Sequence, residues 1–547
     1  MVTVTPGIRN RETCKNKTHP IFIPQKHQQF VLDYFPISKY KGLLLYHKLG
    51  SGKTCTSIMI GDKMLQDKQI KKVYVITPGS LRKNWLDEYC KKCGLNSDFL
   101  KKNFTFITYN YNISEAITKL DFNNSLIIID EAHNLINGVK NLSKNPLSLY
   151  NKIINSNCRV LVLTGTVIFN NIYEWCLMIN LLKDNICKDV IVDGIFDPNK
   201  YNESLLSSEN LEGIISYFPG EEGYFPDIVY NQPINILMSY EQESKYKIVY
   251  QQERILRAKG PPGEDLLNID PEEYKKQYEL YIMANKYILS RSVSNFYYPL
   301  DLKKIPDLPV REGGWISHKI LENRELFDIM SPKFTALFVN ILSNFNSKQV
   351  VFSFFKDKSG VLTIHSLLKL CGIKTKLFTG DMTDIQRSKI LNEFNSRDNR
   401  YGEKIKLLLL TEAGVEGITL LEVEHVHLLE SSITPNKTIQ AIARTVRYKS
   451  HIDLPKERQV VNVWKYHSIT GRTEYGFEDT TPKMDSFEEY YNYLIINGMK
   501  KVNIERKAVD SILDEKGGLK GDEFYEFYKI LQKNSIENGN IIKKLKN

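Results

Sequence analysis

No apolar run in this sequence is long enough to span a bilayer, and the first residues are polar rather than an apolar leader. From those two absences a soluble protein of a cytosol, a nucleus or a virion interior is expected. Cysteine is scarce: eight are scattered over 547 residues, too few and too dispersed for a disulfide framework. Cys90 and Cys93 form one CxxC, but no second pair and no nearby histidine joins them. A four-ligand zinc site needs more donors, so reduced, partly buried thiols are expected. Also missing is any tandem basic–aromatic module that would read bases. A strong charge bias is absent too. Lys plus Arg is 74 against 64 for Asp plus Glu, a net +10, which suits a polyanionic partner and equally suits an ordinary basic surface.

What is present is a chain large enough for two or three domains, with a 42% hydrophobic and 25% charged balance typical of globular proteins. Within residues 1–215, Val73–Thr77, Phe104–Thr108, Ser125–Asp130 and Arg159–Thr164 read as buried parallel strands between helical stretches. Within 325–470 the pattern recurs at Gln349–Phe354, Thr375–Phe378, Lys406–Leu410, His425–Leu429 and Val460–Val463. The alternation predicts α/β lobes, each a parallel sheet covered by helices. Between them, 216–324 reads as a helical insertion, broken at Gly260-Pro261-Pro262-Gly263. Residues 471–547 read as a charged helical extension with a flexible joint at Gly517-Gly518.

The chemistry is concentrated at strand ends. Gly42-Leu43-Leu44-Leu45-Tyr46 runs into His47-Lys48-Leu49-Gly50-Ser51-Gly52-Lys53-Thr54. In such a loop the backbone N–H groups of Gly50, Ser51 and Gly52 close on phosphate oxygens. Lys53 reaches the outer phosphates and the Thr54 hydroxyl ligates Mg²⁺. His47 stands where the usual motif has glycine. The strand Leu126-Ile127-Ile128-Ile129 delivers Asp130 and Glu131, followed by Ala132 and His133. Asp130 is assigned to the metal and Glu131 to the attacking water; an exposed acidic turn is the alternative. Leu163-Thr164-Gly165-Thr166 ends another strand in small hydroxyl residues able to bond that acidic loop.

Gln440, Arg444 and Arg447 share a face if their segment is helical, and two arginines suit the γ-phosphate. They lie in the second lobe, so the site would be complete only when the lobes close; a solvated basic helix is the alternative. Ahead of them, Thr411 to Leu420 follows a buried strand, and its Glu416 and Gly417 are placed to meet nucleotide and nucleic-acid phosphate. Upstream, Gln28 in Lys26-His27-Gln28-Gln29 can pair with an adenine edge, or simply begin a surface helix. Backbone-facing loops supply the nucleic-acid candidates: Thr77, Pro78, Gly79 and Arg82 in the first lobe, Gly380 and Thr411 in the second. Trp85 and Tyr109 read as core or lobe-surface aromatics.

The order of these motifs resembles superfamily 2 helicases and translocases of the DEAH-box type, from about residue 25 to about 450. Leu44-Leu45-Tyr46-His47, Thr166 to Asn171, and Arg444 to His451 with Leu454-Pro455 and Arg458 are similar to the large-DNA-virus branch. Poxvirus nucleoside triphosphatase I and the early transcription factor small subunit stand in that branch. Ser290-Arg291 and Asn295-Phe296 with Pro299 share this likeness. The resemblance implies two tandem RecA-like lobes with ATP and Mg²⁺ as cofactors, and a DNA-dependent ATPase acting in viral transcription. It further implies a virion and host-cytoplasm location, with viral RNA polymerase or transcription factors as partners. A strand-separating RNA or DNA helicase, or a non-catalytic ATP-binding subunit of a transcription complex, are the alternatives. Val167 and Ala443 depart from the family's usual proline and glycine without removing a catalytic group.

Overall fold

The computed structural model describes residues 23–48, 50–79, 82, 85, 102–109, 120–165, 167–168, 171–184, 186–187, 190–192, 195–220, 223–263, 270–297, 330–357, 359–415, 418–432, 435–471 and 508–537. Thr166, Glu416 and Gly417, with Cys90 and Cys93, lie outside the described residues. The chain divides into two units: 1–222 with 521–547, and 223–520.

In the first unit, short Leu/Ile/Val runs make β1 (Gly42–His47), β2 (Lys72–Thr77), β3 (Phe104–Thr108), β4 (Ser125–Asp130) and β5 (Arg159–Thr164). After a small antiparallel ribbon of β6 (Ile191–Val192) and β7 (Ile195–Phe196) comes β8 (Ile215–Phe218). The main sheet runs β3-β2-β4-β5-β1-β8, every pairing parallel. Residues adjacent along a strand serve opposite faces. Ile127 and Ile129 of β4 join Val160 and Val162 in one core, while Leu126 and Ile128 join Leu161 and Leu163 in the other. Helix α1 (Lys26–Tyr34) and helix α2 (Lys53–Gln66) cover the second face through Val31, Leu32, Ile58 and Met64. Burial on both sides is why these strands read as continuous apolar runs.

The second unit holds β9 (Asp227–Tyr230), β10 (Ile234–Leu237), β11 (Gln349–Ser353), β12 (Thr375–Phe378), β13 (Leu407–Thr411), β14 (His425–Leu428) and β15 (Val460–Ile469). Its order is β10-β15-β14-β11-β13-β12, again all parallel, with β9 also on β15. Residues 216–324 are therefore not a purely helical insertion. Their first part finishes the first sheet (β8) and supplies β9 and β10 to the second. Four-residue edge strands carry little periodicity, and β9 is exposed at every position; only pairing with β15, far downstream, makes them strands. The helical arm expected there does follow, as Tyr240–Lys259, Pro271–Asn285 and Ile288–Asn295.

The C-terminal extension also differs from expectation. Gly517 and Gly518 are not a joint but lie within one helix, Val509–Lys533. Its first residues are bonded into the second unit. Buried Asp510 pairs with buried Lys333 at 2.7 Å and accepts the Ser468 N–H at 3.1 Å. Its later residues, Phe524, Phe527 and Leu531, join the core of the first unit. Among the described residues no helix is long and apolar enough to cross a membrane.

Candidate nucleotide site

All strands of the first sheet are parallel, so the segments after β1, β2, β4 and β5 emerge at one carboxyl edge, where open α/β sheets bind ligands. After β1, Gly50 and Gly52 take φ of 82° and 83°, and α2 starts at Lys53. The left-handed turn at Gly52 leads directly into the helix start, the kind of end that receives an anion. Lys53 Nζ donates to the His47 carbonyl at 2.7 Å and the Lys48 carbonyl at 3.3 Å, so the ammonium lies across its own loop.

Helix α1 packs on this loop through two side chains. His27 Nε2–H donates to the Ser51 carbonyl at 3.1 Å, and the ring stacks on Phe218 of β8 at 3.6 Å. Gln28 is buried, its oxygen accepting from Gln25 N–H at 2.9 Å and its nitrogen donating to the Gly52 carbonyl at 3.3 Å. A Cβ at position 52 would sit 2.6 Å from that nitrogen, so only glycine lets the amide reach the loop. Gln28 is thus built into the loop's support and is not merely the start of a surface helix.

Asp130 ends β4. Its Oδ2 accepts from Trp85 Nε1 at 2.7 Å and from the Thr77 hydroxyl at 3.5 Å, and its Oδ1 accepts the Glu131 N–H at 3.1 Å. The Tyr109 hydroxyl donates to the Asp130 carbonyl at 3.1 Å, and burial, then Asp130 and Glu131, push its ionisation well up. Glu131 has a φ of 49°, a left-handed backbone that a glutamate adopts only under constraint. That turn separates the two carboxylates, leaving Asp130 on the sheet edge and Glu131 facing His133 Nδ1 at 3.5 Å. The end of β5 meets this turn through the main chain, Ala132 N–H donating to the Leu163 carbonyl at 3.4 Å.

Two aromatic roles were missed in the sequence. Trp85 and Tyr109 are core residues, yet each spends its polar atom on Asp130. Neither carries a local signal, because the contact depends on strand order. Thr77, a nucleic-acid candidate, is fully buried and turned toward Asp130. Gly79 is open on its Cβ side, and Arg82 lies 5.9 Å from the Phe106 ring.

In the second unit the arginine segment is not one helix. The helix carrying Gln440 spans Pro435–Ile442, and Arg444 and Arg447 follow in a turn. The Thr445 hydroxyl and N–H both bond the Ile442 carbonyl, at 2.7 Å and 2.9 Å, closing the helix early. The turn is mounted on the segment after β13. Leu420 N–H donates to the Arg444 carbonyl at 2.9 Å, and Arg447 donates to the Ile418 carbonyl at 3.4 Å. Thr411 is buried at the end of β13, and Gly380 approaches Ala413 so closely that a Cβ there would lie 2.5 Å from the alanine methyl.

Residues 21–169 match the family described as type III restriction enzyme, res subunit, and 332–449 match the helicase conserved C-terminal domain. The first segment carries the glycine loop after β1 and Asp130; the second carries Arg444 and Arg447. The chain is 27% identical to the putative ATP-dependent RNA helicase R563 of Acanthamoeba polyphaga mimivirus, over 83% of this chain and 85% of that one. It is 25% identical to nucleoside triphosphatase I of Melanoplus sanguinipes entomopoxvirus (91% and 82%) and 24% identical to the termination factor NPH-I homolog of African swine fever virus (91% and 76%). Among solved structures it is similar to the helicase domain of Pyrococcus furiosus Hef, at 16% identity, a TM-score of 0.40, and coverage of 86% and 97%.

Proposed function

We propose, from the premise that this chain is a helicase-type ATP hydrolase, that it turns ATP hydrolysis into movement along DNA during viral transcription. The observation that carries the hydrolase chemistry is the shared carboxyl edge of the first sheet, which presents Lys53 after β1 and the divided Asp130–Glu131 pair after β4. On ATP binding Lys53 exchanges two neutral carbonyls for phosphate oxygens, a stronger partner for an ammonium. Gln28 selects adenine with the amide hydrogen that Gly52 does not take. Glu131, turned away from Asp130, orients the water; Arg444 and Arg447, with Gln440, offset the charge that develops on the γ-phosphate, and Glu416 and Gly417 are kept as nucleotide contacts on their sequence alone.

Thr54 and Asp130 fit magnesium. Both offer oxygen, and no cluster of three or more His, Cys, Asp or Glu able to hold a metal occurs among the described residues. Magnesium is the ion that needs only one or two protein oxygens beside phosphate and water. When bound, it neutralises phosphate charge. Trp85 then acts by fixing which way the Asp130 carboxylate faces. Trp85→Phe keeps the ring and removes the donor, and is expected to raise the Mg²⁺ concentration for half-maximal ATPase about tenfold; an unchanged Mg²⁺ titration would remove Trp85 from this role.

For the nucleic acid, Gly79 and Arg82 with Pro78, and Gly380, track the phosphate backbone; Thr77 and Thr411, being buried, act through their main chain. The virion and host cytoplasm, beside viral RNA polymerase or its transcription factors, are the proposed setting, on the strength of the termination-factor relative. RNA is the rival substrate, favoured by the helicase name of the mimivirus relative. ATP turnover measured side by side with single-stranded DNA, duplex DNA, RNA and no nucleic acid decides between them. DNA should stimulate about tenfold or more and RNA should not, and a forked duplex should keep its labelled strand. Stimulation by RNA alone overturns the DNA reading. No turnover in wild type, or full turnover in Glu131→Gln, overturns the enzymatic one.

A further inference from the structure

His47 is the residue that breaks the usual glycine pattern of the phosphate loop, and it brings a bulky polar ring into a fully buried position. Its carbonyl receives Lys53, so the placement of His47 is the placement of the loop's first turn. Its ring has a partner on the neighbouring strand: Nε2 lies 2.7 Å from the Ser216 hydroxyl of β8. Ser216 is in turn bonded to the carboxylate of Glu537, whose other oxygen accepts the Tyr217 N–H at 2.9 Å. In the ionised form of Glu537, which burial opposes and the bonds from Ser216 and the Tyr217 N–H support, the partners fix the protons. Glu537 receives the Ser216 hydroxyl hydrogen, Ser216 receives the His47 Nε2–H, and Nδ1 is left bare, buried and without a hydrogen-bond partner among the described residues. Burial, with Lys53 and His27 adding to it, holds the imidazole neutral.

Glu537 does not reach this position by chance of a loose tail. Ile536 N–H donates to the Ile215 carbonyl at 2.8 Å, continuing the sheet edge beyond β8. Upstream, the Tyr528 ring stacks 5.1 Å from Tyr46, its hydroxyl donates to the Ile168 carbonyl at 3.2 Å, and Phe527 packs edge-on against Trp175 at 5.5 Å. The segment is therefore anchored independently of its carboxylate.

We propose that Glu537 is a positioning residue of the nucleotide site: acting through Ser216 and His47, it holds the first turn of the phosphate loop in the shape that receives ATP. The proposal rests on the ATP hydrolase reading and extends it to a residue almost five hundred positions from the loop. Glutamine at 537 is the sharp probe. Its amide has one oxygen for two donors, so either Tyr217 N–H loses its acceptor or the chain of hydroxyl protons reverses. Reversal would demand a proton on Nδ1, which has nothing to receive it.

The test uses the full chain and a fluorescent ATP analogue, with steady-state ATPase alongside. Glu537→Gln, Glu537→Ala and Ser216→Ala should each weaken analogue binding and raise the ATP KM about tenfold, with kcat within about threefold of wild type. The Glu537→Ala/Ser216→Ala double variant should be no worse than either single one, since all break the same chain. Should Glu537→Ala fail to fold, Glu537→Gln keeps the hydrophobic anchor and carries the test. Wild-type binding with unmoved Glu537 variants, or a loss confined to kcat, overturns the proposal alone. A wild-type chain that does not bind the analogue overturns it together with the nucleotide reading.

Discussion

Lys53→Ala leaves ATP hydrolysis below about 1% of wild type and weakens ATP binding between about 10- and 100-fold. The binding loss follows from a charge-assisted hydrogen bond worth roughly 1.5–3 kcal/mol. The larger catalytic loss follows because the ammonium is worth most where negative charge accumulates as the bond breaks. The resting geometry sharpens the expectation. Lys53 is already ordered, held at 2.7 Å and 3.3 Å by loop carbonyls, so little side-chain freedom is lost when phosphate replaces them. Lys53→Arg should fail to restore turnover, because a planar fork cannot fold back onto two carbonyls as a compact ammonium does. Steady-state turnover and analogue binding check both halves, with a thermal melt to show that the fold persists. Turnover near wild type in Lys53→Ala would end the phosphate-loop assignment.

Arg447→Ala keeps ATP affinity within about threefold and loses about 10³-fold in kcat, the scale on which arginines act on a transferring phosphoryl group. The split between KM and kcat is the point: a ground-state contact would move KM, while a group matched to the transition state moves kcat alone. Arg447 suits that role structurally because its segment is tied to the chain that follows β13, Leu420 N–H donating to the Arg444 carbonyl and Arg447 itself to the Ile418 carbonyl. Arg447→Lys should remain defective, since lysine has one point of charge and no fork. Normal kcat in Arg447→Ala would detach the second unit from the chemistry.

Much of this was readable in advance because the physics is local. β1, β2, β4, β5, β11, β13 and β14 are short runs buried on nearly every position, and such runs leave an unmistakable apolar signature. The glycine turn after β1 was readable because Gly50 and Gly52 are demanded by the backbone itself. What escaped depends on distant partners. β9 is exposed and polar-edged, and is a strand only because Val460–Val463 lies beside it. The arginine segment has helical spacing, but one hydroxyl, that of Thr445, ends the helix before Arg444. Trp85 looks like any core tryptophan until β2 and β4 are known to be neighbours. Glu537 is a lone glutamate in a charged tail, and nothing near it in sequence hints at Ser216 or His47.

The ten-residue strand β15 has a consequence in time. It pairs with β14, β9 and β10, so the second sheet cannot close until the ribosome has passed Ile469. Roughly 220 residues separate β10 from β15, which at about 5–20 residues per second is roughly ten to fifty seconds of synthesis. Throughout that interval Ile234 and Ile236, buried in the finished protein, have no strand to lie against. β11 to β14 can pair with one another earlier, so it is the β15 side of the sheet, with β9 and β10, that is completed late. A nascent chain stalled before Ile469 would carry an open sheet edge, the form most prone to pair with another copy.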